Sequence, residues 1–493
     1  MKATAAFTAT SRYITHIRCH VPFSQKNDFS SQGHAEKLTW AEEPQVGPIE
    51  PQAIFEVGLR QHHLANTAYP IAHRKTIWDY RQPAERHAPL LKEAFAASDT
   101  MCLYAHIPFC ERRCAFCEYT VIEHHREEQE AAYHQALLQE LDRYLDLLGH
   151  GAKQLKGFDI GGGTPSLIDS ARIGELVERV MQGFRLSPNF GISIETTPKI
   201  AALQPEKLAA YRSFSIERIS MGLQMVNPKL LRDYGRDLNK IGYNRQAVEN
   251  IRRAGFRRFN IDLMYGFAKQ SSEDFRRTIE YTIHLDPEYI TLYRMRYKGT
   301  SVADEAGQIE LGRVIEMYAL ARQMLTEAGY QANPGKNGFS RVAGDPGTSA
   351  YLTERVVRST PYLGLGLGAQ TFTNNLLAYN HGAATKRMER YIQAIQDGEL
   401  PIQDLYHLPL SEAMAKMISV SFYFGEIHLG AFRQRFGLEL EQCFPDEIAF
   451  VLERGLMEYH GQTLRLTSAG ANVINGVIAL FYSKQVKAHV FAL

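Results

Sequence analysis

The chain has 493 residues, 45% hydrophobic and 22% charged, with 55 Lys and Arg against 54 Asp and Glu for a formal net charge of +1. That length supports a large core and more than one domain, and the charge balance gives no bulk field to draw the chain to nucleic acid or an anionic membrane. Six cysteines are too few for a disulfide framework and fit a reducing, cytoplasmic setting, and no run of about 18 apolar residues offers a membrane span.

Residues 1–60 read as an irregular N-terminal extension, poor in periodicity and basic before its first acid, Asp28. A pre-barrel segment follows at 61–100. From about 101, short apolar runs alternate with amphipathic stretches. The runs predict strands at 102–108, 157–161, 191–196, 217–223, 258–265 and 288–295. Helices are predicted at 126–149, 169–184, 203–213, 240–254, 271–285 and 308–328. Repeated strand–helix pairs predict right-handed parallel βαβ units over 101–300. Closed on themselves, they form an α/β fold, a partial (β/α)6 barrel, with its chemistry at the carboxyl ends of the strands. Residues 301–400 are expected to complete the barrel and include a Gly-rich loop at 363–369. Residues 401–493 read as a mainly helical, winged-helix-like domain with a short β-wing near Leu464–Leu466. It lacks a dense Lys/Arg stripe, so packing or covering a substrate is expected of it rather than nucleic-acid binding.

Chemistry concentrates at predicted strand ends. After the first strand, Cys110, Cys114 and Cys117 stand in the spacing Cys-x3-Cys-x2-Cys. Three thiolates on one loop can hold three irons of a cubane [4Fe–4S] cluster and leave the fourth iron open. A zinc site would more often show paired Cys-x2-Cys units and four closing ligands. The second strand ends in Gly161, Gly162 and Gly163, where backbone can approach a ligand that a Cβ would exclude. The third carries Glu195, able to accept from a ribose diol or to pair with an ammonium group. The fourth ends at Gln224, with Arg236 beyond it. The fifth places Asp262 among apolar neighbours, where it needs a partner or a ligand.

These segments resemble the radical S-adenosyl-L-methionine (SAM) superfamily, and within it the oxygen-independent coproporphyrinogen III oxidase-like, or HemN-like, branch. The likeness runs over about residues 60–490. It rests on Leu-Tyr-Ala-His-Ile-Pro-Phe-Cys (103–110), Gly-Gly-Gly-Thr-Pro (161–165), Ser-Ile-Glu (193–195), Ile-Ser-Met-Gly-Leu-Gln (219–224), Asn-Ile-Asp-Leu-Met-Tyr-Gly (260–266) and Gly-Leu-Gly-Leu-Gly-Ala (364–369). Thr67-Ala68-Tyr69-Pro70 is similar to a further segment of that branch. The resemblance implies a [4Fe–4S] cluster on the three cysteines and two SAM molecules side by side. Tyr104 would stand beside the SAM pair as a catalytic candidate. Gly161 to Gly163 and Glu195 would hold SAM. Gln224, Arg236 and Asp262 would hold its ribose, carboxylate or neighbouring groups. Gly366, Gly368 and Ala369 would border the second SAM or the substrate. A reduced flavodoxin- or ferredoxin-type donor would supply the electron.

Three departures from the branch bear on the reaction. Tyr119 stands where the decarboxylating oxidases carry a further cysteine. Val357 to Tyr362 replace their Phe-Gln-Gly-Tyr segment. The polar insert Pro334–Thr348 is unlike theirs. The expectation drawn from them is methyl or methylene transfer, C-methylation or cyclopropanation, onto an unsaturated carbon of an aromatic, quinone, polyene or tetrapyrrole substrate. In that chemistry a 5′-deoxyadenosyl radical activates the methyl group of the second SAM. Porphyrinogen oxidation with propionate decarboxylation is the alternative, and a haem-binding chaperone without turnover the second.

Overall fold

Six strands alternate apolar and polar residues so that one face packs on helices and the other looks inward. In the computed structural model, which describes residues 39–44, 47, 49–60, 69 and 76–491, they are β1 (Thr100–Ile107), β2 (Gln154–Gly162), β3 (Ile192–Thr196), β4 (Ile216–Gln224), β5 (Arg258–Tyr265) and β6 (Tyr289–Arg294). All are parallel, in the spatial order β6-β5-β4-β3-β2-β1. Met101, Leu103, Ala105 and Ile107 of β1 enter the main core with Ile219, Met221 and Leu223 of β4 and Phe259, Ile261 and Leu263 of β5. Each such side chain contributes about 1.5–3 kcal/mol by leaving water. The period of two then sends Tyr104, Asp159, Glu195, Ser220, Asp262 and Tyr293 to the other face, into the barrel lumen. A parallel sheet covered on both faces is normally apolar on both. Here the inner face is polar.

The intervening helices follow the predicted positions, with two additions. The helix expected over 203–213 is Pro205–Ser213, and two short helices that were not predicted, Pro198–Leu203 and Pro228–Asp233, lie beside it in the chain. Pro205 lacks an N–H and disfavours helical backbone at Gln204 before it, so the helix restarts there.

Five further strands were not predicted. β7 (Gly338–Ser340) runs antiparallel beside β6. β8 (Tyr362–Leu365) is parallel to β1 on its other side, and β9 (Gln370–Phe372), β10 (Leu376–Asn380) and β11 (Ile402–His407) continue as an antiparallel meander. With a two-residue strand, Arg185–Leu186, pairing on the start of β2, the result is one twelve-stranded sheet, a barrel curled but not closed. Ile402–His407, expected at the start of the helical C-terminal domain, is therefore an edge strand of the barrel sheet. Beyond it, β12 (Glu426–His428), β13 (Met457–His460) and β14 (Thr463–Leu466) form a small sheet among helices, the winged-helix-like unit, with its own core.

The polar insert seals the amino ends of the strands. Asp345 accepts from Tyr289 at 2.8 Å and pairs with Arg258 at 3.1 Å. Arg218 donates to the Gly347 carbonyl at 3.4 Å, and Ser349 donates to Asp159 at 2.6 Å. Ser349 also caps the helix Ala350–Val357.

Within the expected N-terminal extension, Pro51–Arg60 is a helix lying on Ile474–Leu480 of the C-terminal unit. Residues 1–38 lie outside the described residues, and of Thr67-Ala68-Tyr69-Pro70 only Tyr69 lies within them. No described helix is long and apolar enough to cross a membrane.

Candidate active site

The cysteine loop leaves the carboxyl end of β1 and is held at both ends. His106 bridges it, with Nε2 2.7 Å from the Thr120 carbonyl and Nδ1 3.3 Å from the Tyr104 hydroxyl. Phe109–Cys110 pairs with Ile122–Glu123 as two short parallel strands, and Glu123 accepts from the Arg113 N–H at 2.6 Å. Within the loop the Cys117 N–H donates to the Cys114 carbonyl at 3.0 Å, and the Ala115 N–H to the Tyr234 carbonyl at 2.9 Å. The loop is thus shaped by the protein itself.

Cys110, Cys114 and Cys117 are half-buried and free of disulfides. Burial pushes the Cys110 thiol up to about 12 and raises Cys117, with the other loop cysteines adding to both shifts. Thiols so desolvated bind as thiolates only where positive charge meets them. Arg236 supplies some, donating from Nη1 to Cys114 Sγ at 3.5 Å, and Thr164 Oγ1 lies 3.5 Å from Cys110 Sγ. Among the described residues no three His, Cys, Asp or Glu side chains converge as ligands of a single ion. A cubane takes one thiolate per iron, so its ligands stand apart, and the donor set fits it.

The glycines after β2 are required by close approach within the protein. A Cβ at Gly163 would lie 2.7 Å from the Pro108 and Phe109 carbonyl oxygens, and one at Gly162 2.8 Å from His106 Nδ1. Gly162 also has φ +124°, closed to other residues. The Gly163 N–H donates to the Ile107 carbonyl at 2.8 Å, and the Gly162 N–H to Glu195. The Gly163 bond locks the end of β2 under the cysteine loop, and the Gly162 bond ties it to Glu195 of β3. Gly161 keeps Tyr104 and Glu195 together: a Cβ there would sit 3.1 Å from the Tyr104 hydroxyl and 3.0 Å from Glu195 Oε1.

Glu195 is open to a small molecule, yet deep inside the protein. Desolvation first, then the charges of Asp262 and Asp159, push its carboxyl up to about 8. Asp262 accepts from Ser220 Oγ and Asn260 Nδ2, both at 2.8 Å, and burial raises it too. Three carboxyls share one lumen with Arg218 as the protein's own cation near them, and their ionised forms would favour a ligand cation such as the sulfonium or ammonium group of SAM. At the rim, Gln224 and Arg236 close over Gly222, where a Cβ would lie 2.9 Å from both side chains. Gln224 holds φ +69°, and its Oε1 and Arg236 Nε are buried without a hydrogen-bond partner. Strained backbone and unmet polar atoms beside a cavity mark a ligand site. The residues fit the cofactor.

The structure therefore gathers Tyr104, Gly161, Glu195 and Asp262 in the lumen and Gln224, Arg236 and Cys114 at its rim. Gly366, Gly368 and Ala369 are engaged elsewhere. The Gly366 N–H donates to Glu140 at 2.7 Å, Gly368 to the His381 carbonyl at 2.8 Å and Ala369 to Gly366 at 3.2 Å. A Cβ at Gly366 would lie 2.6 Å from the His106 carbonyl. The run braces the base of the cysteine loop.

Sequence reasoning missed Glu140. Fully buried and pushed up to about 7 by desolvation, it anchors Gly366, Asn380 and Tyr391. The signal was an acid between Leu137 and Leu141 on an apolar helix face. It also missed the lumen aromatics. Tyr119 is 59% exposed, although it stands deep in the protein beside Glu118, Arg296, Tyr423 and Glu195. In Phe422-Tyr423-Phe424 the sequence suggests three core aromatics. Phe422 and Phe424 are, but Tyr423 is only half-buried and meets Tyr293 and Asp262 across the lumen.

A partial parallel barrel with a cubane-suited cysteine loop at the carboxyl ends defines a class of one-electron enzymes, and comparison with known proteins specifies it. Residues 104–282 match the radical SAM superfamily, and residues 424–473 match the HemN C-terminal domain. The chain is 24% identical to a haem chaperone HemW of Buchnera aphidicola over 77% of this chain and 97% of that one. It is also 24% identical to an oxygen-independent coproporphyrinogen III oxidase of Salmonella typhimurium, over 84% and 91%. The solved structure of coproporphyrinogen III oxidase (HemN) from Escherichia coli superposes with a TM-score of 0.69 at 23% identity, covering 84% of this chain and 96% of that one, a likeness of fold. The chain thus carries a radical SAM domain followed by a HemN C-terminal domain. The cofactors of that family are a [4Fe–4S] cluster and SAM.

Proposed function

We propose that the protein is a radical SAM enzyme acting on a large pyrrolic substrate that bears carboxylates, of the tetrapyrrole kind. The observation that carries this reading is the lumen beneath the cysteine loop, lined by Tyr104, Tyr119, Tyr293 and Tyr423 with Arg296 and Arg355 nearby. Aromatic side chains pack on pyrrole rings, and guanidinium groups take carboxylates. The names of the two relatives, a haem chaperone and a coproporphyrinogen oxidase, point to the same substrate class.

In this reading Cys110, Cys114 and Cys117 hold the cluster. Glu195, Gln224, Arg236 and Asp262 hold SAM, with Gly161 keeping the lumen wall close. When bound, the cluster and SAM supply one-electron cleavage and a carbon radical that takes hydrogen from an unactivated C–H bond. Tyr104, bonded to His106, orients the reacting groups, and the insert at the amino ends excludes water. A flavodoxin- or ferredoxin-type protein in a reducing cytoplasm gives the electron.

Methyl or methylene transfer, the first expectation from the sequence, draws no support from the relatives' names. It stays as the second reading because Tyr119, not cysteine, faces the lumen. Anaerobic incubation of the reconstituted enzyme with coproporphyrinogen and CD3-labelled SAM separates the readings. Formation of 5′-deoxyadenosine with carbon dioxide supports oxidation, and deuterium in the product supports transfer. Haem binding with no SAM cleavage removes the enzyme reading and leaves a carrier.

A further inference from the structure

Tyr119 is 59% exposed and Glu195 is exposed as well, yet desolvation is the largest cause raising the proton affinity of both. The surface they expose therefore faces an internal space rather than bulk water. Arg296 stands at that space. It follows the carboxyl end of β6 and pairs through Nη2 with Glu118, the residue after Cys117. Lys386 Nζ in turn donates to the Glu118 carbonyl at 3.0 Å. Nε and Nη1 of Arg296 bond to no other described residue, and neither is sealed within the protein.

Two other guanidinium groups reach the lumen and are more fully engaged. Arg218 at the floor donates to Ser193 Oγ at 3.5 Å and to the Gly347 carbonyl at 3.4 Å. Arg236 at the rim donates to the Gly222 carbonyl and, at 3.5 Å, to Cys114 Sγ. Arg296 has the single bond to Glu118, and its charge acts on Tyr119, Tyr423 and Tyr482. Tyr423 and Tyr482 come from the C-terminal unit, so Arg296 lies where the cysteine loop, β6 and that unit converge. An aromatic face beside a guanidinium with unused donors is the pairing that a ring bearing a carboxylate fits.

We propose that Arg296 takes one carboxylate of the substrate through these unused donors, with Tyr119 against the adjoining ring. The assignment rests on the functional reading above and specifies which residues meet the substrate's acid group. Glu118 then has a defined effect. It is a like charge beside the incoming carboxylate and a competitor for the same guanidinium. Removing its charge should therefore strengthen binding, whereas an ion pair that only props the cysteine loop would be lost equally from either side.

Binding of a porphyrin tetrapropionate and of its neutral tetra-amide is measured by fluorescence titration on the anaerobically reconstituted full chain and on three variants. Arg296→Gln should bind the tetrapropionate about tenfold more weakly, or worse, and the amide unchanged. Glu118→Gln should bind the tetrapropionate at least as tightly as the unaltered chain. Arg296→Lys keeps the charge on a single-point donor and should fall between, and it replaces Arg296→Gln if that variant does not fold. Three outcomes overturn the subsite and leave the functional reading standing: equal tetrapropionate binding by all forms, an equal loss for the amide, or a loss in Glu118→Gln that matches the loss in Arg296→Gln. A loss confined to SAM, read by equilibrium dialysis, would assign Arg296 to the cofactor and overturn the subsite too. If the unaltered chain binds neither porphyrin, the functional reading fails and the subsite falls with it.

Discussion

Glu412 and Glu195 are both carboxyls deep inside the protein, one in the C-terminal unit and one in the barrel lumen. Glu412 accepts from Tyr69 at 2.9 Å and from Ser483 at 2.6 Å, and burial pushes it up to about 7. Lys487 in the same unit pairs with Glu447 at 2.5 Å. Glu195 has one hydrogen bond, from the Gly162 N–H, with two neighbouring acids and the more weakly acting Arg218, and burial with the acids' repulsion pushes it up to about 8. The C-terminal unit meets its buried charge from within. The lumen gathers like charge and leaves it for a ligand, as sites that bind or react commonly do.

The sharpest break in this comparison is at the loop. Cys114→Ala should abolish cluster assembly, read as iron and sulfide near zero after anaerobic reconstitution, while the far-ultraviolet circular dichroism of the C-terminal unit persists. Glu195→Gln should weaken SAM about 100-fold, the scale of a charge-assisted contact, measured by equilibrium dialysis.

The sign of the pH effect follows from the raised carboxyl. In SAM-free protein the folded state holds a proton that the unfolded chain releases near 4.5, so stability falls as pH rises from about 4.5 through about 8. SAM, a cation, prefers ionised Glu195, so its affinity should climb over the upper part of that window. Glu195→Gln should flatten both slopes, and a variant that keeps either slope removes Glu195 as its source.

Glu412→Ala should leave SAM affinity unchanged and lower stability by about 2 kcal/mol, because it strips the acceptor from two buried donors. Urea unfolding followed by tyrosine fluorescence reads it. The smallest effect is expected at Glu458, paired with Arg465 at 2.8 Å on the surface of the small sheet. Glu458→Ala should cost under about 1 kcal/mol. A larger loss there than at Glu412 would erase the distinction between the two regions.

The strand–helix alternation over 101–300 was legible because β1 to β6 are long enough to show their period and each precedes an amphipathic helix. Asp262 was legible as a buried acid in need of partners, and Ser220 and Asn260 are those partners. β7 to β11 were not legible. Gly338–Ser340 and Gln370–Phe372 are three residues each, too short to show a period. Tyr362–Leu365 exists because it adds to the exposed edge of β1, pairing Tyr362 with Cys102 and Leu365 with Ala105. The glycines are close-approach positions within the protein itself, to backbone at Gly163 and to the Tyr104 and Glu195 side chains at Gly161.

The amino-acid order alone determined what is local: the cysteine spacing, the period of each strand, the helix caps and the position of Glu195 near a strand end. Only the tertiary structure decided which tyrosines and arginines enter the lumen, what seals its floor and where Glu140 is buried. Those depend on pairings such as Asp159 with Ser349 and Gly366 with Glu140, between groups that chain folding alone makes neighbours.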